Sequence, residues 1–131
     1  MRHYLALDWG KQKVGMALAD AETCIAFAHA VVPMNERITT VVGDVVAEYE
    51  VDTILVGVPL HCAHNNNGTG ARDFAAMIAA RFPSVQVRII DEMFTTKMAQ
   101  AHRRDAGKRG GDDDAEAARI FLQEWCDAIQ S

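Results

Sequence analysis

Residues 3–20 read H-Y-L-A-L-D-W-G-K-Q-K-V-G-M-A-L-A-D, and this stretch decides the fold. The apolar segment His3–Leu7 ends at Asp8-Trp9-Gly10, and a second apolar segment, Val14–Leu18, follows after a short glycine-containing link. Such spacing predicts two antiparallel strands joined by a tight turn. A third strand is predicted over Cys24–Ala30, so the chain opens with an antiparallel meander.

Beyond Ala30 the pattern alternates between helices and strands. Apolar residues at helical spacing predict an amphipathic helix; they are Ile38, Val41, Val42, Val45, Val46 and Tyr49. Thr53–Gly57 is a short, almost continuous apolar run, which is typical of a buried parallel strand, and Pro59 ends it. We expect His61–Gly70 to form a polar loop, because it is too long for a tight turn.

The last third of the chain contains a further strand between helices. The predicted elements are a helix over Ala71–Phe82, a strand over Val85–Ile90, a basic helix over Thr95–Ala106 and a final helix over Asp112–Ile129. The final helix is expected to bury Ala118, Phe121 or Leu122, Trp125 and Ile129. The order β-β-β-α-β-α-β-α-α predicts an α/β fold with a mixed five-stranded sheet covered by helices.

Composition limits the class of protein. The 131 residues have the length of one domain, residues 1–131, and 50% hydrophobic with 24% charged residues is ordinary for a globular protein. No apolar run approaches the roughly 20 residues of a membrane span, and the start does not resemble a signal peptide. Three widely spaced cysteines, Cys24, Cys62 and Cys126, argue against a disulfide framework and favour the cytoplasm.

The charge is unevenly distributed. Thirteen basic and 18 acidic residues give a net charge of −5, which has the wrong sign for non-specific coating of nucleic acid. Residues 97–109, however, contain five basic residues against one acid, Asp105; the five are Lys97, Arg103, Arg104, Lys108 and Arg109. Together with Lys11 and Lys13 they are candidates for contacts with phosphates, and a solvated helix face is an equally good explanation for any one of them.

Acidic residues follow two of the predicted strands. Asp8 follows the first strand and Glu92 the last, so parallel strands would bring both carboxylates to one edge of the sheet. The final helix starts at Asp112-Asp113-Asp114 and could supply a third. Taken singly, each acid could be a turn or capping residue. Three convergent carboxylates instead predict a hard cation, Mg²⁺ or Mn²⁺.

Four segments in order resemble the YqgF/RuvX family of RNase H-like proteins, described as Holliday junction resolvase-like nucleases and pre-16S rRNA nucleases. They are residues 5–20 (L-A-L-D-W-G, then V-G-M-A-L-A-D), 56–60 (V-G-V-P-L), 90–96 (I-D-E-M-F-T-T) and 114–118 (D-A-E-A-A). The resemblance covers almost the whole chain. It implies an RNase H-like sheet with strand order 3-2-1-4-5.

The resemblance also implies a site and a chemistry. It selects Asp8, Glu92 and Asp114 as the catalytic, metal-binding acids and leaves Asp112 and Asp113 as capping or solvated neighbours. The implied reaction is phosphodiester hydrolysis with one or two Mg²⁺ or Mn²⁺ ions. The expected substrate-binding residues are Lys11, Lys13, Thr95, Arg103, Arg104, Lys108 and Arg109.

Some positions depart from the family pattern. Lys13 and Met93 stand where arginine is usual, and Ala19 stands where serine is usual. Lysine keeps the charge but loses the planar fork that suits phosphate. Outside the pattern, His61, Cys62 and His64 suggest a zinc site, but no second cluster of ligands completes four donors.

Several functions remain open at this point. The first is a nuclease that processes the 5′ end of the 16S rRNA precursor, and the second is the same chemistry on branched DNA as a Holliday junction resolvase. The protein would be a monomer or a homodimer, and a stable twofold dimer would favour junction resolution. An ATP-dependent phosphotransferase would need two such domains, and stabilisation by ATP would favour it. A non-catalytic nucleic-acid-binding module would have no reason to hold three carboxylates together.

Overall fold

The computed structural model describes residues 2–58, 66–91 and 113–130. In chain order the elements are β1 (His3–Asp8), β2 (Lys13–Asp20), β3 (Ala26–Pro33), α1 (Ile38–Tyr49), β4 (Val51–Val58), α2 (Asn66–Arg81), β5 (Gln86–Asp91) and α3 (Asp113–Gln130). The predicted basic helix Thr95–Ala106 lies outside the described residues, as does Asp112 at the predicted start of the final helix.

Strand β1 lies at the centre of the five-stranded sheet, whose order is β3-β2-β1-β4-β5. It pairs antiparallel with β2, from His3↔Asp20 to Asp8↔Gly15, and parallel with β4, which ends beside it at Asp8↔Gly57. Strand β5 continues the parallel part of the sheet. The predicted mixed sheet and its strand order are confirmed.

The two faces of the sheet carry separate apolar cores. On one face Leu5 and Leu7 pack in a cluster with Val42 of α1 and Ile78 of α2. On the other face Ala6 packs in a cluster with Ala118 and other residues of α3. Because successive side chains of a strand point to opposite faces, β1 contributes to both cores in turn.

Helix α1 forms as the spacing of its valines predicts. Ile38, Val42 and Val45 are buried, and Val41, Val46 and Tyr49 pack at the margin of the same core. The helix ends at Glu50, which adopts the left-handed conformation (φ 52°) and returns its backbone N–H to the carbonyl oxygen of Val46. This is the usual way in which a helix end satisfies its last carbonyl groups.

The prediction of a loop over His61–Gly70 is wrong for its second half, because α2 already begins at Asn66. Asparagine and glycine are poor helix formers, so propensity alone favours a loop here. Gly70, however, lies directly against the indole of Trp9, and this tertiary contact overrides the local preference. Residues 61–65 lie outside the described part of the chain.

Strand β3 begins at Ala26, two residues later than predicted, and continues to Pro33 instead of ending at Ala30. The side chain of Asp20 accepts hydrogen bonds from the backbone N–H groups of Glu22 (2.7 Å) and Thr23 (3.4 Å), which closes a turn. Cys24 then takes the left-handed conformation, with φ 54°. The turn that Asp20 stabilises therefore delays the start of the strand, so the first two residues that the apolar pattern assigned to it lie outside β3.

Helix α3 buries Ala118, Phe121 and Leu122 as expected, and Trp125 packs at the margin of that core. The expected burial of Ile129 is wrong, since its exposed fraction is 48%. Cys126, which is fully buried, is the last core residue of the helix, and all the residues from Asp127 to Gln130 are exposed. The final turn of α3 therefore extends past the packed part of the sheet.

Gln123 joins α3 to the turn between β2 and β3. Its side-chain amide donates a hydrogen bond to the backbone carbonyl oxygen of Cys24 and accepts one from the backbone N–H of Ala26, both at 2.8 Å. Both backbone groups would otherwise lack these partners in a partly buried position. These two hydrogen bonds hold the carboxyl half of α3 on the sheet.

Replacing Gln123 by alanine should lower the free energy of unfolding by about 2 kcal/mol, because two partly buried backbone groups lose their partner. Urea unfolding followed by circular dichroism measures the change. The matched control is Gln86→Ala, at an exposed glutamine at the start of β5, which should change the stability by less than about 0.5 kcal/mol. An equal decrease in the free energy of unfolding in both variants would contradict a stabilising role of the two Gln123 hydrogen bonds.

The cysteines of the second core should be unreactive in the folded protein. Cys24 and Cys126 are buried free thiols, and burial together with a hydrogen bond to Cys24 raises the pKa of Cys126 to about 12. Because the thiolate is the reactive form, a thiol reagent at pH 8 should label neither residue quickly in a Cys62→Ser background. Both should react at once in denaturant. Fast labelling of the native protein would show that this core opens readily.

Candidate metal-dependent nuclease site

Asp8 lies at the carboxyl end of the central strand, with glycine on both sides. It pairs with Gly15 of β2 and Gly57 of β4, and Gly57 in turn pairs with Ile90 of β5. Glycine has no side chain, so neither neighbouring strand places a side chain beside the half-buried Asp8 in this row. The sequence placed Asp8 at a strand end, but the two flanking glycines follow only from the strand register.

Asp8 belongs to the face of the sheet that α3 covers. Ala6, two residues earlier in β1, packs in the core that contains Ala118, Phe121 and Leu122. Side chains two residues apart in a strand point to the same face. The strand therefore directs position 8 to the same side as α3.

The direction of α3 is fixed by two contacts in its carboxyl half. Gln123 is bonded to the β2–β3 turn, and the ring of Trp125 meets that of Tyr4 edge to face, with centroids 4.9 Å apart. Tyr4 lies near the amino end of β1. These contacts place the carboxyl half of α3 over the amino end of β1 and the β2–β3 turn.

The lengths of the two elements match. From Tyr4 to Asp8 the strand advances about 13 Å, and from Trp125 back to Asp114 the helix advances about 16 Å. Asp114 lies four residues before Ala118, which packs in the same core as Ala6. The convergence of Asp8 and Asp114 stays a prediction, because the side chain of Asp114 lies outside the described residues.

Glu92 follows directly after Asp91, the last residue of β5, and lies outside the described residues. Ile90 packs at the margin of the core under α3, and its row contains Gly57 and Asp8. The last described residues of β5 therefore end at the same edge of the sheet as Asp8. The other predicted residues outside the description are Thr95, Arg103, Arg104, Lys108 and Arg109, and the zinc candidates His61, Cys62 and His64.

Lys11 and Lys13 lie within five residues of Asp8, and both are exposed. Lys13 is the first residue of β2, two positions before Gly15, so it lies on the same face of the sheet as Gly15 and about 7 Å along the strand. Its charge therefore stands beyond the sheet edge on the side of Asp8. This is a suitable position for a contact with a phosphate next to the reacting one.

The turn after Asp8 is tightly packed. A methyl group on Gly10 would come within 2.7 Å of the backbone oxygen of Lys13, and the backbone N–H of Met34 donates to the carbonyl oxygen of Gln12 at 2.9 Å. Trp9 packs against the core of α1 and α2, on the opposite face from Asp8. Trp9 therefore has a packing role.

Gly70 is a residue that sequence reasoning missed. A methyl group there would lie 2.7 Å and 2.9 Å from two carbons of the Trp9 indole, closer than real contacts allow. The available signal was a glycine within four residues of an apolar helical pattern. Glycine at such a position indicates close approach of another group.

Glu116 and Arg119 form an ion pair on the first turns of α3. The guanidinium donates to both carboxylate oxygens of Glu116, at 3.0 Å and 2.5 Å. The hydrogen bonds to Glu116 raise the pKa of Arg119. The pair balances the charge of Glu116 two residues away from Asp114.

The donor set suits a hard divalent cation. Carboxylate oxygens are the ligands that Mg²⁺ and Mn²⁺ prefer, so the three predicted acids would suit such an ion. Among the side chains that the structure describes, no three histidine, cysteine, aspartate or glutamate groups come together. Two of the three predicted acids, Glu92 and Asp114, have side chains outside that set.

Comparison with known proteins identifies the family of this chain. Residues 2–128 match the family model for RuvX, which is described as a Holliday junction resolvase. The chain belongs to the RuvX family. A relative from Burkholderia thailandensis is 33% identical over 130 residues, covering 95% of this chain and 88% of the relative. One from Burkholderia vietnamiensis is 33% identical over 134 residues, covering 96% and 89%. Both bear the name "Putative pre-16S rRNA nuclease".

Solved structures share the fold of this RuvX family member. RuvC of Thermus thermophilus, in complex with a Holliday junction substrate, matches 100% of this chain and 97% of its own with a TM-score of 0.66 at 16% identity. A fowlpox virus resolvase in complex with Holliday junction DNA matches 98% of this chain and 99% of its own, with a TM-score of 0.60 at 12% identity. At these identities the match concerns the fold.

None of the described helices combines the length and the apolar character that crossing a lipid bilayer requires.

Replacing Lys13 by glutamine should weaken binding of nucleic acid about threefold to tenfold and lower the slope of log affinity against log salt by about one unit, because one phosphate contact is lost. Fluorescence anisotropy with a labelled oligonucleotide, in Ca²⁺ to suppress cleavage, measures both. Lys13→Arg should keep the affinity. Arg81→Gln, at the far end of α2, is the matched control. An unchanged salt slope in Lys13→Gln would contradict the contact.

Proposed function

We propose that this chain is a metal-dependent endonuclease that hydrolyses phosphodiester bonds at the carboxyl edge of its sheet. One observation carries the proposal: the register of β1 puts Asp8 at the carboxyl edge of the sheet, on the face that α3 covers. In the proposed site the carboxylates of Asp8 and Asp114 repel each other, and a divalent cation relieves that repulsion.

In the proposed site Asp8, Glu92 and Asp114 hold one or two Mg²⁺ or Mn²⁺ ions. Such ions supply a nucleophile from water and stabilise charge on the leaving oxygen. The backbone of Asp8 is held by strand pairing on both sides. Lys11 and Lys13 bind flanking phosphates and so orient the scissile strand. Thr95, Arg103, Arg104, Lys108 and Arg109 are proposed as further substrate contacts.

The proposed substrate is the 5′ end of the 16S rRNA precursor, which places the protein in ribosome biogenesis in the cytoplasm. Relatives that are 33% identical over nearly the whole chain carry that substrate in their name. Identity at this level over 95% of the chain supports a shared reaction more strongly than fold similarity does.

A second candidate function is resolution of Holliday junctions in recombination and repair. The description of the matched family supports it. Cutting two strands of a junction symmetrically needs two active sites, so this function requires a twofold dimer. Precursor processing requires only one site.

Replacing Asp8 by asparagine should lower cleavage at least about a hundredfold, because even the outer partners of metal ligands contribute 10–100-fold. The assay supplies Mn²⁺ or Mg²⁺ and two end-labelled substrates, a 16S precursor leader and a four-way DNA junction. Asp44→Asn, at an exposed acid on α1 away from the sheet edge, is the matched control with the same charge change and should retain full activity.

The outcomes separate the candidates. Metal-dependent cuts in the RNA leader that disappear in Asp8→Asn support precursor processing, and preferential cutting of the junction by a dimer supports resolution. Equal cutting by the wild-type protein and Asp8→Asn would contradict the proposed site. Absence of cutting in either substrate would favour a non-catalytic binding module.

A further inference from the structure

We propose that Trp9 is a positioning residue for the Asp8 carboxylate, and that the absence of a side chain at Gly70 allows the indole to pack against α2. The proposal rests on the proposed metal site at Asp8. It extends that site to a contact on the opposite face of the sheet, between the turn after β1 and the amino-terminal part of α2.

Asp8 and Trp9 are consecutive residues that belong to opposite faces of the sheet. Asp8 is the last residue of β1 and Trp9 is the first residue after it, so the two share one peptide group. Asp8 lies on the face covered by α3, and Trp9 packs into the core beneath α1 and α2. The trans peptide bond fixes the distance between the two Cα atoms, so a displacement of the Trp9 backbone also displaces the backbone of Asp8.

The indole of Trp9 lies against the backbone of α2 at Gly70. Two of its carbons, Cη2 and Cζ2, would be 2.7 Å and 2.9 Å from a methyl group on Gly70, so the ring lies directly on the backbone of α2. Helix backbone cannot give way as the end of a flexible side chain can. The ring therefore has a fixed surface on one side and the apolar core on another.

Neighbouring backbone holds the part of the turn that follows Trp9. Gly10 approaches the backbone oxygen of Lys13 so closely that a methyl group would be 2.7 Å away, and Gln12 is bonded through its carbonyl oxygen to Met34. The turn is thus held at Gly10 and Gln12 by neighbouring backbone. Strand pairing ends at Asp8, so the contact of Trp9 with Gly70 is what fixes the peptide between the strand and this turn.

This arrangement predicts a specific effect on metal affinity. Groups that orient a metal ligand without touching the metal typically contribute 10–100-fold to affinity or activity. Loosening the Trp9 contact should raise the dissociation constant for Mn²⁺ about tenfold. The loss should be recovered at saturating Mn²⁺, because the Asp8 carboxylate itself remains.

The experiment measures Mn²⁺ binding to the whole chain by electron paramagnetic resonance of the free ion, with melting temperature recorded for every variant. Trp9→Leu and Gly70→Ala should each raise the dissociation constant about tenfold, and Trp9→Phe should recover most of the affinity. The concentration of Mn²⁺ at half-maximal cleavage should shift by the same factor.

The chain offers a matched control for each variant. Gly43 is also a helical glycine, but a methyl group there would meet the Phe82 ring at an ordinary 3.5 Å, so Gly43→Ala should leave Mn²⁺ affinity unchanged. Tyr49 packs at the margin of the same core as Trp9, but its ring meets that of His3 at the amino end of β1, so Tyr49→Leu should affect melting and not affinity. In a Trp9→Leu background, Gly70→Ala should have almost no further effect, because the two changes disrupt one contact.

The result that overturns the proposal differs from the one that overturns the metal site. If Asp8→Asn binds Mn²⁺ as the wild-type protein does, the proposed site itself is wrong. If Asp8→Asn loses binding while Trp9→Leu and Gly70→Ala retain wild-type affinity, the positioning role is wrong. Losses in Gly43→Ala or Tyr49→Leu as large as those in Gly70→Ala or Trp9→Leu would also overturn it, since they would show a general effect of destabilisation.

Discussion

The alternation of side chains along β1 is the constraint on which the rest of the structure depends. Leu5 and Leu7 enter the core beneath α1 and α2, and Ala6 enters the core beneath α3. The same alternation continues past the end of the strand, where it sends Asp8 to one face and Trp9 to the other. A shift of one residue in the register of β1 would exchange the two faces, so packing of both cores fixes the side on which the carboxylate emerges.

The proposed site would gather acidic residues at the carboxyl edge of the sheet in a protein whose net charge is already −5. Asp113 and Asp114 stand at the start of α3, where the helix dipole favours negative charge. The Glu116–Arg119 pair compensates one more acid on the same helix. In the proposed nuclease these features lower the free-energy cost of holding several carboxylates together when no cation is bound. The repulsion that remains would favour binding of a divalent cation.

Contacts remote from the carboxylates determine the shape of the site. Gln123 and Trp125 hold the carboxyl half of α3 on the sheet. Trp9 and Gly70 hold the turn after β1 against α2. Each of these contacts joins residues more than 60 positions apart in sequence, so the site depends on the completed fold and on no single segment.

The sequence by itself determined the elements and their order, because periodic apolar patterns and strand-end residues are local properties. It predicted the meander, the valine-rich helix α1, the central parallel strands and Asp8 at the end of β1, and resemblance to a family added the strand order. Only the tertiary structure decided the start of α2 at Asn66, the late start of β3 at Ala26 and the exposure of Ile129. The reason is physical: a Trp9–Gly70 contact, an Asp20 turn and the length of a helix relative to its sheet depend on which distant residues meet, and local propensity carries no information about that.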